Sequence, residues 1–348
     1  MFILYSILLF SFLIFIHEFG HFITAKLSGV QVNEFAIFMG PAIFKKQIGE
    51  TLYSIRLIPI GGYCAMEGED EDTDNPRAFS KAKWWKRLII LVAGAGMNFI
   101  VGVLLFFVVF SNYKVLDTPV FTKAEAGCTV FREDGIHIGD RLLEINGEKV
   151  YISDDFSMLM SLSDDTPDIV VEREGKKLYF DDYRMEKHRF GEETNDRYGF
   201  SFGTKENTIG NRVAYTWKYS IDMIRSVRLS LKMLFTGQAG VQDLSGPVGI
   251  VQVMSDSASR AQTPLAAFLT ILLFGGFLGI NLAVMNLLPI PALDGGRVVG
   301  LLLTTAVEKI TKKKVSPKIE GYIHGVGMVL LLALMAIILF KDVIFLFK

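Results

Sequence analysis

The stretch FIHEFGHFITAKL, Phe15 to Leu27, closes an almost unbroken apolar run that begins at Phe2. A helix of that length and apolarity crosses a bilayer, yet this one carries His17, Glu18 and His21 near one end. Ionisable groups are costly there unless they face an interior partner. On a helix of 3.6 residues per turn, His17 and His21 project from nearly the same face, about 6 Å apart along the axis, so both imidazoles can reach one ion. In the pattern H-E-x-x-H the histidines are zinc ligands, and the glutamate between them stands beside the metal, free to take a proton from water. The competing reading is polar packing between helices, which the membrane setting disfavours because a buried glutamate needs a reason to be there.

The remainder of the chain supports that setting. Of 348 residues, 51% are hydrophobic, and a mean hydropathy of +0.37 is too apolar for a soluble protein of this size. A net charge of −1 offers no basic field, and no arginine-rich or basic-aromatic element argues for nucleic acid. The two cysteines, Cys64 and Cys128, lie far apart and form neither a metal knuckle nor a disulfide framework. The first segment lacks a basic leader and a small-residue cleavage site, so it reads as an uncleaved helix.

Four segments are long and apolar enough to span: 2–25, 88–110, 265–288 and 322–340. Lys81, Lys83, Lys86 and Arg87 precede the second, and Arg297, Lys309, Lys312, Lys313, Lys314 and Lys318 separate the third from the fourth. Positive charge is retained on the cytoplasmic side. Both loops are therefore expected inside, with both termini and the hydrophilic region after the second span outside. Trp84 and Trp85 suit an interfacial belt.

That hydrophilic region, 112–208, alternates like β-strands and carries the turn signals Asp134-Gly135 and Asn146-Gly147. Its GDRLLEINGEKV, Gly139 to Val150, resembles the second half of a bacterial PDZ signature. Between 209 and 264 follow a connector and an amphipathic helix over Ala214 to Phe235. Its Trp217, Ile221, Ile224, Arg225, Arg228 and Lys232 suggest a helix resting on the outer membrane surface; a packed connector is the alternative.

A catalytic zinc takes three protein ligands and leaves a position for water. The third span ends in NLAVMNLLPIPALDGGRVV, Asn281 to Val299, where Asp294 is the only acid. By the charge-derived orientation, the first and third spans both run inward, which brings Asp294 to the depth of His17 and His21. Pro289 and Pro291 cannot continue a regular helix and free the backbone to face a cavity. A helix cap ahead of Gly295-Gly296 is the alternative for Asp294.

Together, HEFGH in a first membrane helix and NLLPIPALDGG in a later, proline-broken one resemble the site-2 protease family of intramembrane zinc metalloproteases, in its bacterial RseP and RasP type with an inserted PDZ domain. TLYSIRLIPIGGYCAMEGE from Thr51, RAFSKAKWWKRLIILVAGAGMNF from Arg77 and SGPVGI from Ser245 are similar to further family segments. The resemblance implies one Zn2+ per chain on His17, His21 and Asp294, with Glu18 as general base. It places Asn286, Asn98, Gly61, Gly62, Pro289 and Pro291 near substrate, with interhelical packing as the alternative for the asparagines. It also implies that region 31–69 is a membrane-associated β-hairpin offering an edge strand to an unwound substrate. The chain departs from the family pattern at Ala95, where proline is usual, and in FAIFMGP, Phe35 to Pro41, where a more glycine-rich turn is usual.

The expected fold class is thus a polytopic α-helical membrane protein of four transmembrane helices, with a membrane-associated β-hairpin and one inserted extracytoplasmic PDZ-like β-rich domain. The membrane core comprises 1–111 and 265–348. The expected activity is hydrolysis of peptide bonds in membrane segments of single-span proteins, anti-sigma factors or remnant signal peptides being typical of the family, in a multi-pass cell-membrane protein whose site lies toward the cytoplasm. The alternative is a membrane scaffold or transporter that binds zinc without hydrolysis, for which a free carboxylate beside the metal has no use.

Overall fold

The computed structural model describes residues 2–69, 71, 73–190, 196–240, 246–312 and 317–346. The chain divides into two compact units, Met1–Phe106 with Ser226–Lys348, and Phe107–Arg225.

In the first unit, four helices are long and apolar enough to cross a membrane. These are α1 (Phe2–Ser28), α2 (Trp84–Phe110), α6 (Pro264–Asn286) and α8 (Pro317–Leu346). Each begins or ends within a few residues of the corresponding apolar segment read from the sequence. A Schellman turn stops α1: Gly29 takes φ +82, Val30 N–H bonds Ala25 C=O at 3.0 Å and Gly29 N–H bonds Lys26 C=O at 3.1 Å. Ala25 and Val30 are both buried in the same apolar cluster, which fixes the end of α1 about two turns past His21. α6 opens with Thr263 accepting from Ala266 N–H at 3.1 Å and Pro264 in its first turn.

Without a hydrophobic drive between helices in lipid, close approach depends on small side chains. A Cβ on Gly20 of α1 would sit 2.5 Å from Ala93 C=O of α2, and one on Gly102 of α2 would sit 3.0 Å from Gly276 C=O of α6. These glycines let α2 lie directly against both neighbours. α5 (Pro247–Ser259) and α7 (Asp294–Thr311) also belong to this unit.

Between α1 and α2 a long hairpin, β1 (Val32–Ile48) and β2 (Thr51–Met66), turns at Gly49-Glu50. It doubles over on itself: Phe35 pairs with Cys64 on one side and Tyr53 on the other. The bend falls where Gly40 and Gly61 take φ +84 and +82, and where Phe38, at φ +72, occupies a conformation that favours glycine. The departure from the glycine-rich pattern in FAIFMGP therefore leaves the turn in place but puts a strained side chain in it.

The second unit is β-rich. An antiparallel sheet runs in the order β7 (Lys176–Phe180), β6 (Ile169–Arg173), β4 (Arg141–Ile145), β3 (Val115–Ala124), β8 (Phe200–Glu206), with β5 (Glu148–Lys149) pairing β4. Asn146 and Gly147 take φ +48 and +76 and close the two-residue β4–β5 hairpin as the sequence implied. α3 (Asp154–Ser161) covers a core that includes Phe121, Leu142, Ile145, Phe156 and Val171.

α4 (Ile209–Thr236) contains the expected amphipathic stretch, and its Trp217 is exposed. Arg225 departs from the expectation of a surface-facing cation: its side chain is 6% exposed and bonds Asp155 at 2.8 Å, as well as Asp222. The buried Asp155 carboxylate, with the Asp222 carboxyl beside it, outweighs the pull of water on a guanidinium. Cys64 and Cys128 are both free.

Candidate metal centre

The site is built where α1, α2 and the start of α7 meet. His17 and His21 lie one turn apart on α1 with ring centroids 4.8 Å apart and nearly perpendicular planes. Their Nε2 atoms are 3.2 Å from each other, and Asp294 Oδ2 lies 3.1 Å from His17 Nε2 and 3.3 Å from His21 Nε2. Three ligand-type atoms thus form a nearly equilateral triangle. Ligand atoms held at about 2.0–2.1 Å by a tetrahedral zinc are separated by about 3.3–3.4 Å, so the triangle has the size of one face of that tetrahedron. Among the described residues these three form the one group of His, Cys, Asp and Glu side chains able to hold a metal ion.

Asp294 reaches this place through a reversal of the backbone. α6 stops at Asn286, the chain passes through Pro289 and Pro291, and α7 begins at Asp294. The turn is tight enough that a Cβ on Gly295 would lie 2.3 Å from the Leu287 carbonyl, and one on Gly296 2.3 Å from the Ile290 carbonyl. Only glycine permits that packing. Ala292 in the same turn is held at φ +84.

α2 supplies the support, with one residue from each of three successive turns on the same face. Ile90 C=O accepts from His21 Nδ1 at 2.8 Å, which leaves the Nε2 lone pair directed into the triangle. Gly94 forms the floor: a Cβ there would lie 2.4 Å from His21 Nε2 and 2.8 Å from His17 Cε1. Asn98, buried, places its side-chain amide 3.4 Å from His17 Nδ1, and Asn286 of α6 does the same at 3.4 Å. Asn98 Oδ1 is buried without a partner. The two ends of an amide are interchangeable in shape, and presenting that oxygen to His17 Nδ1–H satisfies both groups and leaves His17 Nε2 as a lone-pair donor.

The arrangement fits a cation on chemical grounds. Two imidazole lone pairs and a carboxylate oxygen converge, and Asp294 Oδ2 is buried with no hydrogen-bond donor. Such a cluster is repulsive unless a positive charge lies at its centre. Glu18 lies alongside: its carboxylate accepts from the Cys64 backbone N–H, and its Cγ would be 3.3 Å from a Cβ on Gly62. The absence of a side chain at Gly62 is what lets β2 pass this close to α1.

The structure brings His17, Glu18, His21, Asn98, Asn286, Asp294 and Gly62 to one place. Gly61 instead packs against Met39 in the hairpin bend, and Pro289 and Pro291 are exposed in the α6–α7 turn. Sequence reading missed Gly94 and Ile90. The small-residue run Ala93 to Gly96 signals a close helix crossing, but which of its glycines faces the histidines depends on how the helices are rotated.

The model of Peptidase family M50 matches residues 5–334 of the chain. A protein of Clostridium acetobutylicum, named as a zinc metalloprotease, is 37% identical over 349 residues, covering 99% of this chain and 97% of that protein. One of Fusobacterium nucleatum subsp. nucleatum, also named as a zinc metalloprotease, is 32% identical, with 98% of each chain covered. The regulator of sigma-W protease RasP of Bacillus subtilis is 27% identical, with 97% of each chain covered.

Proposed function

For a chain that belongs to peptidase family M50, the site-2 proteases, and is therefore a zinc-dependent metalloendopeptidase with several membrane spans, we propose that His17, His21 and Asp294 hold the zinc and that Glu18 is the general base for cleaving membrane segments of substrate proteins. The observation that carries this is the 3.1–3.3 Å triangle of His17 Nε2, His21 Nε2 and Asp294 Oδ2 with Glu18 one residue from the first of them.

Held by His17, His21 and Asp294, zinc would supply Lewis acidity to a scissile carbonyl and to the attacking water. Glu18 takes the proton from that water and delivers it to the leaving amine. The Cys64 N–H and the Gly62 surface hold its carboxylate beside the triangle rather than on it. Asn98 and Asn286 orient His17, and Ile90 orients His21. Asn286 is also placed to bond substrate backbone, since it ends α6 at the mouth of the α6–α7 turn.

A helical substrate hides its carbonyls in internal hydrogen bonds, so the cleaved segment has to unwind before it reaches the site. In this reading it is then held extended along the hairpin near Gly61 and Gly62, as an added strand. The basic loops preceding α2 and following α7 support a site toward the cytoplasm, with the β-rich unit of Phe107–Arg225 outside as a PDZ-like size filter on the substrate's outer domain. Single-span proteins such as anti-sigma factors or remnant signal peptides are the substrates this arrangement suits.

The test compares wild type with Glu18→Gln on a single-span reporter in detergent or proteoliposomes. Loss of the base lowers cleavage by about 10²–10⁴-fold while zinc stays bound. Equal cleavage by both proteins would remove Glu18 from the mechanism.

A further inference from the structure

The turn that carries Asp294 is held from outside the site by α8, the last membrane helix. Ala292 N–H donates to His324 Nδ1 of α8 at 3.1 Å. Three residues further along α8, Gly327 has no side chain where a Cβ would lie 2.4 Å from Pro291 Cβ and 2.8 Å from its carbonyl oxygen. One face of α8 therefore touches Pro291 and Ala292, the two residues that set where α7 starts. On the other side of Asp294, Arg297 pairs with Glu69 in the segment that follows the hairpin. The turn is clamped at both ends.

The clamp has something to hold. Ala292 takes φ +84, a conformation that costs an L-residue free energy and persists only where surrounding contacts over-determine it. The Ala292 N–H is one of those contacts, and a side chain more than 30 residues away in sequence satisfies it.

We infer that His324 is a positioning residue: its Nδ1 fixes the strained turn at Ala292 and thereby sets the Asp294 carboxylate on the two histidines. This couples α8 to the metal site without any contact between α8 and the metal. The inference rests on the assignment of Asp294 as a zinc ligand.

The experiment measures zinc affinity of the full-length protein in detergent by competition with a chromogenic chelator, beside its thermal unfolding. Substituting His324→Leu removes the acceptor, and zinc affinity should fall by about 10–100-fold, the range for groups that orient a ligand. His324→Asn keeps an acceptor oxygen near the position of Nδ1 and should restore most of it, which general destabilisation of α8 would not allow. Gly327→Ala presses the same turn through Pro291 and should also weaken zinc binding; it carries the test if the leucine variant does not fold. Wild-type affinity in His324→Leu, or an asparagine variant as weak as the leucine one, would overturn the inference, and where the leucine variant does not fold, wild-type affinity in Gly327→Ala would do so. Asp294→Ala separates the two readings. If it lowers affinity while His324→Leu does not, only the positioning role fails; if it leaves affinity unchanged, the ligand assignment and the positioning role fall together.

Discussion

Replacing Gly94 by alanine separates the fold of α2 from the chemistry it supports. A Cβ at Gly94 would stand 2.4 Å from His21 Nε2 and 2.8 Å from both His17 Cε1 and His21 Cε1, so both rings have to retreat, His21 by about 1 Å to reach ordinary van der Waals separation. The helix itself does not object: alanine is favoured over glycine in a helix interior by about 1 kcal/mol, against about 1–3 kcal/mol for overpacking. Net stability of α2 should therefore change by no more than about 2 kcal/mol. A displacement of 1 Å at reacting groups costs about 10²-fold in rate, equivalent to about 2.7 kcal/mol of barrier. The assay pairs reporter cleavage and zinc content with thermal unfolding of the purified protein. Gly96→Ala on the same helix is the control, because nothing lies within 4 Å of its added Cβ, and it should leave cleavage unchanged. Wild-type cleavage and zinc binding by Gly94→Ala, or an equal loss in Gly96→Ala, would rule out Gly94 as the floor that sets the two rings.

Chelation should abolish cleavage, and stoichiometric zinc should return it; activity that survives complete demetallation, checked by elemental analysis, would contradict a metal-dependent step. Ala292→Gly removes a Cβ from a left-handed position and should raise the melting temperature, corresponding to about 0.5–1 kcal/mol, with lower stability counting against strain in that turn. In the β-rich unit, burial and a hydrogen bond to Asp155 push the Asp222 carboxyl up from its ordinary value of 3.8 to about 8. Between those values the folded unit keeps a proton that the unfolded chain has released, so stability falls as pH rises, by up to about 1.4 kcal/mol per pH unit. Unfolding between about pH 6 and about pH 9 should show that decline in wild type and a flatter profile in Asp222→Asn, which still leaves Arg225 paired with Asp155; a slope unaltered by the substitution would exclude Asp222 as its source.

Two kinds of information separate in this protein. The four long apolar helices, the paired histidines of α1 and the proline break before Asp294 were legible from periodicity, length and the cost of polar groups in lipid, all of which act along a single segment. The two-residue hairpin at Asn146-Gly147 was legible for the same reason, since its turn needs two positive φ values that those residues tolerate. Arg225 was misjudged because a basic residue on an amphipathic helix ordinarily seeks the surface. Its partner Asp155 stands 70 positions earlier, and only folding places that carboxylate against α4.

The sequence by itself determined that an H-E-x-x-H pattern sits inside a membrane-length helix and that Asp294 is the one acid in the proline-broken stretch from Asn281 to Val299. The tertiary structure decided how those groups are held: Gly94 as the floor beneath both rings, Ile90 and the two asparagines as their orienting partners, Gly62 giving Glu18 room, and His324 bracing the Asp294 turn from α8. Ligand chemistry belongs to residue type and local spacing. Orientation belongs to contacts between helices, and those depend on which face of each helix is turned inward, a rotation that small residues permit without specifying it.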